Sequence, residues 1–82
     1  MDRIYDYIVA SYNDSGEFLK EDTCGYVNCE LRVLKILLNK HIKECKYSKN
    51  TKDLRIFYKS DFLKYFKNED KLKTLILEVI KI

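Results

Sequence analysis

The sequence predicts a small, mainly helical single domain of about four helices, on the basis of its length, its composition and its apolar periodicity. A chain of 82 residues is close to the size at which one hydrophobic core is just sufficient. Apolar residues make up 46% and charged residues 35%, which is typical of a globular protein. Two glycines and no proline leave few turn residues. Because sandwiches and barrels need frequent turns, this scarcity favours helices.

Four segments carry apolar residues at helical spacing. The predicted helices cover residues 2–13, 28–46, 52–67 and 69–82. Asp2, Asn28 and Asn68 are the candidate N-caps of the first, second and last of these helices. The run from Asn13 to Gly16 has strong turn chemistry and is expected to end the first helix. All four helices are expected to pack around one core.

The segment 52–67 has a second interpretation. A helix capped by Thr51 is the preferred prediction, and it fits the apolar residues Leu54, Phe57, Tyr58, Phe62, Tyr65 and Phe66. Alternation of apolar and polar residues instead predicts a short strand followed by a helix capped by Ser60 or Asp61. The alternating apolar residues are Leu54, Ile56 and Tyr58.

Every cysteine and the only histidine lie in one stretch, as Cys24, Cys29, His41 and Cys45. The spacing C-x4-C-x11-H-x3-C resembles small C2HC zinc fingers over residues 23–45. The resemblance implies zinc bound by these four side chains in an α+β fold, which is the alternative to the helical bundle. A continuous helix over 28–46 would instead separate Cys29 from His41 by about 18 Å, too far for one metal site. The continuous helix is the preferred prediction.

The sequence offers no complete catalytic constellation, so the protein is predicted not to be an enzyme. His41 and Cys45 could form a nucleophile–base pair, but no third residue that would orient the histidine is evident. Gly16 and Gly25 stand alone, so neither belongs to a glycine-rich phosphate loop. No catalytic residue is therefore assigned.

Charge is distributed unevenly along the chain and gives the functional hypotheses. Residues 1–34 carry three basic and seven acidic residues, whereas residues 35–82 carry thirteen and six. The preferred hypothesis is protein–protein binding through this charge-polarised surface, with Tyr7 and Tyr47 as exposed contacts. The alternative is a nucleic-acid-binding domain that uses residues 40–59. The basic candidates are Lys43, Lys46, Lys49, Lys52, Arg55 and Lys59.

The composition also gives expectations for the source of the gene and for the cellular compartment of the protein. Residues with AT-rich codons (Phe, Tyr, Met, Ile, Asn, Lys) number 38, against six of Gly, Ala, Arg and Pro, which suggests a low-GC bacterium, a phage or a large DNA virus as the source. The preferred hypothesis is a small regulatory or accessory protein encoded by a phage, a virus or a mobile element. An odd number of cysteines and the lack of an apolar leader predict a cytoplasmic protein. The expected partner is another protein or a second copy of the chain; no membrane contact and no cofactor other than possible zinc are expected.

Overall fold

The computed structural model describes residues 3–82, and these form an α+β domain around a four-stranded antiparallel sheet. The elements are β1 (Ile4–Tyr12), β2 (Phe18–Glu30), α1 (Leu31–Lys43), β3 (Asp53–Tyr58), α2 (Lys59–Tyr65), α3 (Glu69–Thr74) and β4 (Glu78–Lys81). The strand order is β2-β1-β3-β4, which places β1 and β3 in the centre. The predicted four-helix bundle is therefore wrong, and the α+β class of the alternative is the one found.

The sheet separates two clusters of buried apolar side chains, one on each face. Successive residues of a strand point to opposite faces, so Val9 and Ala10 of β1 contribute to different clusters. On the first face, α1 covers the sheet with Leu34 and Leu38. On the second face, Leu72 of α3 packs against the sheet together with partly buried side chains of α2. Both faces of the central strands are thus covered.

The helix predicted over residues 2–13 is strand β1 in the structure; its candidate cap Asp2 lies outside the described residues. β1 is hydrogen-bonded to β2 on one side and to β3 on the other. Because a strand covered on both faces is apolar on both, its sequence lacks simple alternation and can imitate a helical stripe. The Asn13–Gly16 turn is present, but it joins β1 to β2 as a hairpin.

The helix predicted over residues 28–46 exists as the shorter α1. Asn28 is not its N-cap: that residue lies in β2 with a positive φ of 52°, and its N–H donates to the Asp6 carboxylate at 3.0 Å. At the other end the N–H of Lys46 donates to the carbonyl of His41. Cys45 there adopts a φ of 55°, the left-handed conformation that commonly ends a helix.

The last two predicted helices are each part helix and part strand. The helix over 52–67 is wrong, and the strand of the alternating interpretation is present as β3. The helix α2 follows it directly and begins at Lys59, so the predicted caps Ser60 and Asp61 lie inside the helix. α2 has Tyr58 as its N-cap and no side-chain cap. For the final segment the Asn68 cap is confirmed, because its side chain accepts from the Lys71 N–H at 3.1 Å. That helix ends at Thr74, and the chain continues into β4 along the edge of β3.

Within residues 3–82, no helix has the length and apolar character needed to cross a membrane.

Candidate functional site

Five lysines lie close together in sequence at the end of α1 and in the loop that leads to β3. We call residues 40–52 the lysine turn. The lysines at positions 40, 43, 46, 49 and 52 are all exposed. Only Lys46 has an ion-pair partner among residues 3–82, the exposed Glu44 at 3.9 Å. Four of the six predicted basic candidates, Lys43, Lys46, Lys49 and Lys52, therefore belong to this exposed segment.

Hydrogen bonds connect the lysine turn to β2 and to the end of β1. Asp22 of β2 accepts the Ser48 N–H at 2.7 Å and the Thr51 hydroxyl at 2.6 Å through its Oδ2 atom. The Thr51 side chain is buried. The N–H of Lys52 donates to the carbonyl of Tyr12 at 2.8 Å. The loop is thus a fixed part of the fold.

The hydrogen bonds from the lysine turn shift the pKa of the Asp22 carboxyl. Partial burial raises its pKa, but the hydrogen bonds from Thr51 and Ser48 outweigh burial, so the pKa lies below its ordinary value of 3.8. Because the folded pKa is lowered, the stabilisation is complete above pH 3.8 and is lost as the pH falls through the folded pKa.

Replacing Asp22 with asparagine is expected to lower the free energy of unfolding at pH 7 by about 1 kcal/mol, because a neutral amide accepts weaker hydrogen bonds than a carboxylate. Urea unfolding at pH 7 and at pH 3 measures the effect, and the deficit of the variant should shrink at the lower pH. Asp14→Asn, at an exposed position of the hairpin turn, makes the same change in charge and should be neutral. Equal deficits in the two variants would contradict a specific role for Asp22.

The other two basic candidates, Arg55 and Lys59, lie apart from the lysine turn. Arg55 donates to the Asp53 carboxylate at 3.1 Å, and its guanidinium lies 3.9 Å from the centroid of the Tyr12 ring. Because its charge is already paired and partly buried, Arg55 is a structural residue of the second face. Lys59 is the first residue of α2 and borders a separate groove with Tyr5 and Asp6.

The two candidate contact tyrosines are not exposed rings. Tyr7 is 2% exposed and belongs to the first core, so its prediction as a surface contact is corrected: its face of β1 is covered by α1. Tyr47 is half-buried and packs against the same core, with its ring 6.4 Å from that of His41. Burial raises the pKa of Tyr47 to about 12. Most of its ring is therefore committed to packing.

The four residues of the zinc-finger spacing are divided in the structure. Cys24 and His41 line one pocket, in which Asp22 is already engaged with the lysine turn. Cys29 packs against the first core, and burial raises the pKa of its thiol. Cys45 lines a different groove beside Lys49 and Lys52. Among residues 3–82, no three His, Cys, Asp or Glu side chains converge as a metal-binding group. Zinc binding by these four residues remains a prediction from their spacing in the sequence.

A second candidate surface lies on the opposite face of the sheet, between the start of β2 and the helices α2 and α3. We call it the aromatic groove; its lining is Tyr12, Phe18, Phe62, Phe66, Glu69 and Leu72. The ring centroids of Phe18 and Phe62 are 5.9 Å apart, and those of Tyr12 and Phe18 are 6.0 Å apart. These contacts join Tyr12, Phe18 and Phe62, while Phe18 remains 41% and Phe66 55% exposed.

The aromatic groove was missed because sequence analysis placed Phe62 and Phe66 on the buried stripe of one long helix. In the structure α2 ends at Tyr65, so Phe66 lies beyond the helix and leaves the core. Phe18 comes from the hairpin, far away in sequence, and only the pairing of β1 with β2 brings it to the groove. The scarcity of turn residues gave no sign of this hairpin beyond Asn13–Gly16.

Comparison of the chain with protein-family models, curated proteins and solved structures gives no match.

Proposed function

We propose that the protein is a non-enzymatic accessory protein that binds a short segment of another protein in the aromatic groove. The observation that carries this proposal is that Phe18 and Phe66 both line the groove and remain 41% and 55% exposed. Large apolar side chains that remain accessible around a concave surface are typical of binding sites for partners. Aromatic residues also contribute most to the binding energy of such sites.

The size of the aromatic groove supports a side chain as its occupant. The cavity measures about 160 Å³, below the roughly 300–1,000 Å³ of pockets that hold small-molecule ligands. A volume of this size suits one large apolar side chain. The partner segment therefore anchors itself by inserting one leucine, methionine or aromatic residue between Phe18 and Phe66.

Charge near the groove supports acidic residues beside that anchor. The ammonium groups of Lys64 and Lys71 lie 5.3 and 5.5 Å from the centroid of the Tyr65 ring, and Lys67 lies 5.6 Å from that of Phe66. None of these three lysines forms an ion pair within residues 3–82. Glu69 is the acidic residue of the lining. Lys67 thus lies beside Phe66 of the groove, and Lys64 and Lys71 lie beside Tyr65, the residue that precedes Phe66.

The proposed place of action is the cytoplasm. Cys24, Cys29 and Cys45 are all free thiols. Free thiols, two of them exposed, are compatible with a reducing compartment and would be prone to oxidation outside one.

The test is selection of binders from a library of short random peptides displayed on phage, with the folded protein as the target. We expect enriched peptides to share one large apolar residue. Their affinity for Phe66→Asp should fall by roughly tenfold or more, because burial of a phenylalanine side chain is worth about 1.5–3 kcal/mol. Fluorescence anisotropy of the labelled peptides measures this loss.

The matched control is Ile36→Asp, since Ile36 is a 65% exposed apolar residue on the outer side of α1. This variant should bind the selected peptides as tightly as the wild type. A selection that enriches no peptide, or peptides that both variants weaken equally, would show that the aromatic groove is not the binding site.

A further inference from the structure

The lysine turn has a charge that the aromatic groove does not explain. Residues 40–52 contain five lysines against one glutamate, a net charge of +4 with His41 neutral. Within the described residues, Lys40, Lys43, Lys49 and Lys52 form no ion pair. Glu21 and Asp22 border the turn near Lys46, and their two negative charges reduce the local excess from +4 to +2. An excess of positive charge therefore remains on this surface.

This charge is displayed on a fixed backbone. The N–H groups of Cys45 and Lys46 close the end of α1, and the N–H of Thr51 donates to the carbonyl of Ser48 at 3.2 Å. Asp22 then attaches the turn to β2. Like charges on one short segment repel one another, and a bound anion would relieve that repulsion. Fixed positions also reduce the entropy that binding would otherwise lose.

The chemistry of the surface distinguishes among the anions that it could bind. Protein interfaces have apolar centres and are depleted in lysine, whereas none of the large exposed apolar residues of the described chain lies within 40–52. The groove that Lys49 and Lys52 line also contains Ile42, Cys45, Tyr47 and Ile82, but Ile42 and Tyr47 are only partly exposed. Five of the nine exposed residues of the turn are lysines. A surface on which lysines dominate the exposed side chains fits a phosphate backbone.

We propose that the lysine turn binds the phosphate backbone of a nucleic acid, at a site separate from the aromatic groove and independent of it. Lysine ammonium groups bind phosphate as point charges and carry no information about base sequence. Tyr47 is the aromatic residue of the turn; its ring packs against the first core and also lines two surface grooves. Binding is therefore electrostatic, independent of sequence and sensitive to salt.

The experiment measures fluorescence anisotropy of labelled duplex and single-stranded oligonucleotides of mixed sequence over a range of salt concentrations. If three to four phosphates are contacted, the slope of log K against log salt is about −3 for duplex DNA, which is a loss of roughly 60-fold between 50 and 200 mM salt. The triple variant Lys43→Glu, Lys49→Glu, Lys52→Glu should lose at least about tenfold in affinity at low salt and have a flatter slope.

The matched control is Lys64→Glu, Lys67→Glu, Lys71→Glu, which makes the same change in net charge on the α2–α3 side. It should retain most of the affinity. Loss of affinity to the same extent in both triple variants, or no binding by the wild type at 50 mM salt, would overturn the proposal. Equal competition by polyglutamate of matched charge would assign the surface to an acidic protein and would also overturn it. If reversal lowers the melting temperature, the corresponding Lys→Gln variants make the same comparison.

Peptide binding to the aromatic groove is measured separately on the same proteins. The lysine-turn variant should still bind the selected peptides, and Phe66→Asp should still bind the oligonucleotides. Failure of one proposal is therefore recognisable without reference to the other.

Discussion

Replacing Phe57 with alanine is expected to lower the free energy of unfolding by about 3–5 kcal/mol, the range for a buried phenylalanine. Phe57 is 1% exposed in central strand β3 and packs in the second core with Ala10, Tyr12 and Leu72. Its ring also lies 5.5 Å from that of Phe62. The change removes the largest fully buried side chain of the domain. Domains of this size are stabilised by only about 5–15 kcal/mol, so the variant should be partly unfolded at 37 °C.

Phe66→Ala is the control for Phe57→Ala, because it removes the same atoms at a position that is 55% exposed. It should cost less than about 1 kcal/mol, as expected for a partly exposed site outside the core. Urea unfolding followed by circular dichroism compares the two variants. Similar losses in the two variants would contradict a fold in which Phe57 is buried and Phe66 is exposed.

Leu38→Ala is expected to lower the free energy of unfolding by about 2–5 kcal/mol, the range for a buried leucine. Leu38 of α1 is 0% exposed and packs in the first core with Val9, Leu54 and Ile56. The cavity would lie between the helix and the sheet, where the strands cannot move in to fill it without breaking their hydrogen bonds. The loss should therefore fall in the upper part of the range.

Ile36→Ala tests the orientation of α1. Ile36 lies two residues before Leu38 but is 65% exposed, so its replacement should change stability by less than about 0.5 kcal/mol. Thermal unfolding of the two variants ranks them directly. If Ile36→Ala were the more damaging change, α1 would have to face the sheet with its opposite side.

The sequence predicted α1 and the start of α3 because the signals there are local. Leu34 and Leu38 are one helical turn apart on the covered side of α1, and the Asn68 side chain caps α3 through its own neighbours. Signals of this kind depend on three or four consecutive residues and survive in any tertiary context. The predicted helix over 28–46 was three residues too long at each end, since α1 covers Leu31–Lys43 and β2 runs directly into its first residue.

The strands were not predicted because their identity depends on distant partners. β1 is apolar toward both faces only because α1 covers one side and α3 the other. β4 forms at the edge of β3, and four residues would not form a strand without that partner. The β-branched and aromatic residues of β1 were a sign of a strand, but a helical period of 3.6 fitted the same residues.

The candidate sites were predictable to different degrees for the same reason. The lysine turn is contiguous in sequence, so its charge could be recognised before its geometry was known. Arg55 belonged to the same basic run, but a strand places it on the second face beside Asp53 and Tyr12. The aromatic groove joins Phe18 to Phe66 across the fold. No local pattern in the sequence could have linked those two residues.

The central position of β1 has a consequence for synthesis of the protein. One neighbour, β2, follows β1 directly, whereas the other, β3, begins only at Asp53 after β2 and α1. A nascent chain can therefore close the first hairpin while the second edge of β1 still has unpaired amides and carbonyls. Open edges of this kind invite pairing with other chains. The second edge of β1 therefore stays unpaired until residues 53–58 have been synthesised and pair with it as β3.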